Sequence, residues 1–309
     1  MSICLLAVLP AAQVFSLLIS GACMQSFKKS QLLSAACALS LVLCSSLLLS
    51  QTALSPSDVV EHGKFRLHKF EQPIGEETYQ TSRDGDSLVT KIDFKFTDRG
   101  SDVPLAVTFR SAQDLTPQVF EIKGKTARSA EIDQTVEVQK NKVRLRNRTQ
   151  WTDAAVPPPA FFTIAGYAPA TMQMLLVRYW ATHGSPLDLP ALPAAHIKIE
   201  PRGQDSIVVN GKSETLDRYI VEGLIWGRES LWFDGNRNLV ALISLDAEFD
   251  HFEAIHDGYE NALGMFVARA GADGMAALAS LSKKVSAGDN TMIAIVGGNL
   301  IDGTGNVVV

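Results

Sequence analysis

From about residue 60 the chain alternates apolar and polar residues one by one, and this period of two restricts it to strands with one face on a core and one in water. Ile92, Phe94 and Phe96 point one way while Lys91, Asp93 and Lys95 point the other. Val103, Leu105, Val107 and Phe109 repeat the pattern beyond an Asp98-Arg99-Gly100 turn. A helix cannot hold such a pattern on one side, because its faces recur about every 3.6 residues.

The sharpest register lies between Glu131 and Gln150. With Lys140-Asn141 in a two-residue turn, Val138 faces Val143 and Val136 faces Leu145, while Glu137 meets Arg144 and Asp133 meets Arg148 on the other side. A slip of one residue would invert both faces together. Lys140, Lys142, Arg144, Arg146 and Arg148 resemble an anion-binding strip. Opposite charges on the facing strand neutralise much of it, each pair contributing about 0.2–1 kcal/mol.

Further strands are expected at His196–Glu200 and Ser206–Val209, then Asn210-Gly211 signals a hairpin. Leu216 to Trp226 is apolar on both faces, which places it centrally in a sheet. Asp234-Gly235-Asn236-Arg237-Asn238 separates Leu231–Phe233 from Leu239–Ile243 as another hairpin.

Two stretches read as helical. One runs from about Pro169 to His183, with Met172, Leu175, Leu176, Tyr179 and Trp180 on one stripe and Gly184 and Pro186 as stop signals. The other opens on an Asp250–Glu253 capping box and carries Phe252, Ile255, Tyr259, Leu263 and Phe266. Gly271 and Gly274 interrupt before a second piece with Met275, Leu278 and Leu281, where Lys283 and Lys284 suit the C-terminal dipole.

The expected fold is therefore α+β and mainly β: a large curved antiparallel sheet with one inserted helix and a C-terminal helical segment, followed by the first strands of a second domain. The domains would be residues 1–55, 56–285 and 286–309.

Residues 1–55 contain no Asp, Glu or Arg, and their only charges are Lys28 and Lys29. The segment from Met24 to Lys29 supplies a positive start, and an apolar run from Leu32 to Leu49 follows, ending in small residues near Ala53 and Ser55. This is the pattern of an export signal, with Met24 as an alternative start of translation. The expected location is the periplasm or the extracellular space, or a membrane tether if the apolar segment is not cleaved. Contact with a membrane is expected only through this segment.

All four cysteines (Cys4, Cys23, Cys37, Cys44) lie there too, so the body can form no disulfide, thiolate metal site or cysteine nucleophile. The body is more acidic than the whole chain, whose formal charge is −5, and such a surface suits no nucleic-acid partner.

The densest ionisable cluster runs from Asp246 to Glu260 and includes Glu248, Asp250, His251, Glu253, His256 and Asp257. On a helix, His251 and His256 would diverge by about 140°, whereas a zinc helix wants a four-residue separation. His62, His68, His183 and His196 are scattered. There is no Gly-x-Ser-x-Gly elbow and no phosphate loop. We assign no catalytic, cofactor-binding or metal-binding residue to this chain.

After Ser286-Ala287-Gly288-Asp289 the composition changes. Met292-Ile293-Ala294-Ile295-Val296 reads as a buried strand, followed by Gly297-Gly298-Asn299-Leu300-Ile301-Asp302-Gly303-Thr304-Gly305. Residues 291–309 resemble the opening of amidohydrolase-family enzymes, metal-dependent hydrolases built on a (β/α)₈ barrel. The resemblance implies that residues 56–285 are a non-catalytic accessory domain of an exported enzyme that hydrolyses C–N bonds. The ligands of its zinc-type divalent metal and its barrel would be encoded beyond Val309, and that barrel would be this domain's partner. The body itself resembles the curved sheets of envelope domains of unknown function, which implies instead an apolar ligand or a protein partner held by the sheet.

Overall fold

The computed structural model describes residues 58–285, apart from 99, 126–129, 141, 156–159, 163–168, 193–194, 226 and 247–250. The expected export region and the amidohydrolase-like segment, together with Glu248 and Asp250, lie outside the described residues.

The fold is mainly β, as the alternation requires. The first eight strands are β1 (Val59–Lys69), β2 (Gln72–Asp84), β3 (Ser87–Asp98), β4 (Ser101–Ala112), β5 (Pro117–Lys125), β6 (Glu131–Gln139), β7 (Lys142–Asn147) and β8 (Gln150–Ala154). Next come β9 (Phe161–Phe162), helix α1 (Ala170–Thr182), β10 (Leu189–Leu192), β11 (Ala195–Val209), β12 (Lys212–Glu222), β13 (Gly227–Phe233), β14 (Leu239–Asp246) and β15 (His251–His256). A 3₁₀ turn (Glu260–Ala262) then leads into helix α2 (Leu263–Val285).

These strands form one sheet in the order β8-β7-β6-β5-β4-β3-β2-β1-β15-β14-β13-β12-β11-β10-β9. The first and last strands thus meet in the middle, from Phe65 opposite His256 to His68 opposite Glu253, and join two meandering arms. All pairs are antiparallel except β9 with β10, which departs from the purely antiparallel expectation.

The sheet is rolled, as the aromatic contacts require. Ten strand spacings, about 48 Å if flat, separate β4 from β9. Yet the rings of Phe109 on β4 and Phe161 on β9 lie 5.5 Å apart, and Phe120 on β5 lies 5.9 Å from Phe162. The far edge of one arm is therefore tucked onto the inner face of the other.

The Lys140 turn forms in the expected register, with Val138 opposite Val143, Val136 opposite Leu145 and Glu137 opposite Arg144. Asp133 and Arg148 meet as expected, but through the backbone, the Arg148 amide donating to the Asp133 carbonyl at 2.7 Å, and their side chains do not pair. Arg148 has left the strand with φ 56°, and Arg146 takes Asp133 at 2.9 Å. Arg144 instead stacks on Trp151. Asn210 and Gly211 adopt left-handed φ values of 50° and 76°, as a tight hairpin demands. His196–Glu200 and Ser206–Val209 belong to one strand, β11, continuous through a register shift between Pro201 and Gly203.

The largest correction concerns the helix expected to open on Asp250 and carry Phe252 to Phe266. The expected helix is β15 at His251–His256, and helix begins only beyond it. A central strand buried on both faces loses simple alternation, so Phe252 and Ile255 fall at spacings that mimic a helix. Helix α2 also runs unbroken through Gly271 and Gly274. Its first half is pinned by packing: Phe266 and Ala270 are buried, and Phe266 lies 4.9 Å from the Trp232 ring. Asp205 accepts from Trp232 Nε1 and pairs with Arg218 on β12 and Arg269 on α2. Met275, Leu278 and Leu281 are exposed.

Candidate functional site

The rolled sheet encloses an inner face rich in aromatic residues, including Phe65, Phe94, Phe109, Phe120, Phe161 and Phe233. Helix α1 occupies it. Met, Gln and Leu give α1 a strong helical preference, and Gly184 at φ 82° ends it. Ten of its thirteen residues are buried, so it is wrapped on nearly all sides rather than along the single stripe expected.

A helix enclosed in this way must have its polar groups satisfied, and three side chains from the sheet do most of that. Pro169 gives the N-terminus no side-chain cap. Glu77 on β2 supplies one from across the core, accepting from Ala170 N at 2.7 Å, from Thr171 N at 2.8 Å and from the Thr171 hydroxyl. Burial pushes the Glu77 carboxyl up to about 7 even against these donors.

Opposite it, Glu229 on β13 accepts from Gln173 Nε2 at 2.5 Å. Burial pushes Glu229 up to about 7 as well. Glu229 Oε2 and Gln173 Oε1 are both buried without a partner among the described residues.

Arg178 braces the two arms. Its guanidinium donates to both Glu61 oxygens on β1, at 2.8 and 2.9 Å. It also donates to Asn238 Oδ1 and to the Arg237 carbonyl in the β13–β14 turn, each at 2.8 Å. The Tyr79 hydroxyl donates to Glu61 at 3.1 Å. Burial works to raise the Glu61 carboxyl, but the Arg178 bonds and charge outweigh it and hold it below its ordinary value. At the helix C-terminus, His183 stacks on Tyr179 at 3.9 Å, and Trp180 Nε1 donates to the Pro186 carbonyl.

The ionisable cluster singled out in the sequence does not converge. His251 and His256 bound β15, a strand and not the helix expected of them. His256 lies edge-on to Phe65, 5.4 Å between rings. Asp257 is exposed and bonds Arg66 at 3.2 Å. Glu253 is buried and accepts from the Glu71 amide at 3.3 Å, which holds the β1–β2 turn, where Phe70 and Glu71 both adopt left-handed φ. His62 is exposed on β1, His68 is buried, and His196 pairs with Asp188 at 2.8 Å. Among the described residues, no three His, Cys, Asp or Glu side chains come together as a metal site.

Glu77, Gln173 and Glu229 were missed in the sequence. The signal that could have found the two acids is parity: each sits at an inward-facing position of its strand, beside Tyr79 and Leu231 respectively, where an apolar residue is expected. A cleft of about 550 Å³ on the other face is lined by Arg66, Glu76, Asp93 and Lys95, but Arg66, Glu76 and Lys95 already have opposite charges beside them.

Fold and site define a class: a rolled, mainly β domain with an enclosed helix. No family model and no curated protein matches the chain. Among solved structures it is similar to a β-barrel-like protein of a domain of unknown function, DUF1849, from Brucella abortus, at 10% identity and a TM-score of 0.43, over 63% of this chain and 94% of that one.

Proposed function

We propose that this domain is a non-catalytic binding module of the cell envelope whose rolled aromatic face holds an elongated apolar guest. The observation that carries the reading is α1 itself. The inner face takes a rod-shaped apolar element about 10 Å across and wraps it on nearly every side, with polar ties to both arms. Helix α1 is the resident guest, and an acyl-chain ligand takes its place when it swings out. The basic start and apolar run at Lys28–Leu49 support export to the envelope.

A fluorescent fatty acid tests this reading. Delipidated protein is expected to take it up with saturable emission, and Arg178→Ala, which loosens the helix, is expected to bind it more tightly. No uptake by either protein refutes the proposal.

A second reading is favoured by the Asp302-Gly303-Thr304-Gly305 loop alone: that the domain precedes an amidohydrolase barrel in a longer polypeptide. It requires a His-x-His strand in the reading frame beyond Val309, and a genomic sequence without one removes it.

A further inference from the structure

We infer that Glu229 is protonated in the closed domain and pairs with Gln173 as a cyclic acid–amide couple, a latch whose loss of a proton frees α1 from β13. The inference rests on the reading of the inner face as the binding surface, and it adds the regulation of that surface.

Donors and acceptors do not match where Gln173 meets Glu229. Glu229 and Gln173 are each 2% exposed, and one bond joins them, from the amide Nε2 to the carboxyl Oε1. That leaves two buried acceptor oxygens, Gln173 Oε1 and Glu229 Oε2, with no donor among the described residues. Turning the amide over would set oxygen against oxygen and still satisfy neither. A single hydrogen on Oε2 supplies the missing donor, and both orphans are then paired within one ring. An ionised Glu229 would keep a buried charge with one hydrogen bond and no counter-ion, which proteins rarely tolerate.

Among the described residues, the neighbours of Glu229 supply no free cation that would hold the charged form. β12 places Val221 opposite Glu229, and β14 places Ser244 there. Arg228, the preceding residue on β13, is paired with Glu222. On α1, Arg178 is committed to Glu61 and Asn238, and Glu77 lies at the first turn against the helix amides. Tyr219 on β12 packs its ring on Phe233. The raised carboxyl, caused by burial, agrees with this geometry.

Ionisation would set the carboxylate against the amide oxygen of Gln173. Helix α1 would keep its ties to the first arm through Glu77 and Glu61. On the second arm, Arg178 at the β13–β14 turn would be its remaining polar tie. The opening is therefore expected between α1 and the strands β12–β14.

Infrared spectroscopy of protein labelled with ¹³C-glutamate tests the latch. A protonated-carboxyl band is expected at pH 6, lost at pH 9, and diminished at pH 6 in Glu229→Gln, whose second amide reproduces the ring. The ratio of wild-type to Glu229→Gln folding constants is expected to fall about tenfold per pH unit from pH 5 to 7. Glu77 contributes to the same band, so a band at pH 6 undiminished in Glu229→Gln, no band at all in the wild type, or a ratio flat with pH overturns the latch. Fatty-acid probe uptake separates the two ideas. Uptake that is independent of pH sinks the latch and leaves the binding reading standing. No uptake at any pH, with the band and the ratio as expected, sinks the binding reading alone.

Discussion

Replacing Arg178 with alanine removes the brace between the two arms. Four hydrogen bonds are lost, two to Glu61 and one each to Asn238 and the Arg237 carbonyl. What matters more is what remains: a half-buried carboxylate to which, among the described residues, the Tyr79 hydroxyl still donates. Orphaning one member of a fully buried ion pair costs about 3–5 kcal/mol. Here the Arg178 and Glu61 side chains are 15% and 26% exposed, so water recovers part of that, and about 2–3 kcal/mol is expected. Urea unfolding followed by the fluorescence of buried Trp180 and Trp232 reads the change as a lower midpoint at constant slope.

The loss has a pH signature. Glu61 is held below its ordinary 4.5, so its contribution is present above that value and fades as pH falls through the folded value. The gap between wild type and Arg178→Ala should narrow in acid, and Glu61→Gln combined with Arg178→Ala should cost less than the two single changes together. A loss under 0.5 kcal/mol at pH 7, or one of equal size at pH 3 and pH 7, would refute the bracing role.

Three other substitutions or titrations probe the same contacts. Glu77→Ala leaves the Ala170 and Thr171 amides without an acceptor at a buried helix start, and a loss of about 3 kcal/mol is expected in the same assay. Glu229, raised from 4.5 to about 7, favours the folded state fully below 4.5, and that advantage is lost as pH climbs through 7, at about 1.4 kcal/mol per pH unit. Unfolding Glu229→Gln in parallel should show a shallower decline over this window. Gly124→Ala places a Cβ 2.0 Å from the Pro104 carbonyl at a φ of 148°, and thermal unfolding should register a loss above about 1 kcal/mol.

Most strands were legible because each had one wet face. Ile92, Phe94 and Phe96 against Lys91, Asp93 and Lys95 leave no choice of side, and the Lys140 and Asn210 turns set their registers locally. Legibility failed where both faces are dry. β15 lies between β1 and β14, with α2 packed against Ile255, so the apolar residues on its two sides merged into a helical spacing. Left-handed Phe70 and Glu71 gave no warning either, since the group that holds their turn, Glu253, lies far away in sequence. The site was hidden for the same reason. Glu77 and Glu229 are distant in sequence and face different parts of α1, and only the rolling of the sheet brings them to one helix.

A photoreactive diazirine fatty acid, cross-linked to the intact domain and located by mass spectrometry, asks most directly whether the inner face receives apolar guests. Labels on Phe94, Phe109, Tyr219 or Phe233 are predicted, in greater yield when Arg178 is alanine. Labels confined to Met275, Leu278 and Leu281 on the outer helix would contradict the account, because they would place the guest on the opposite side of the sheet.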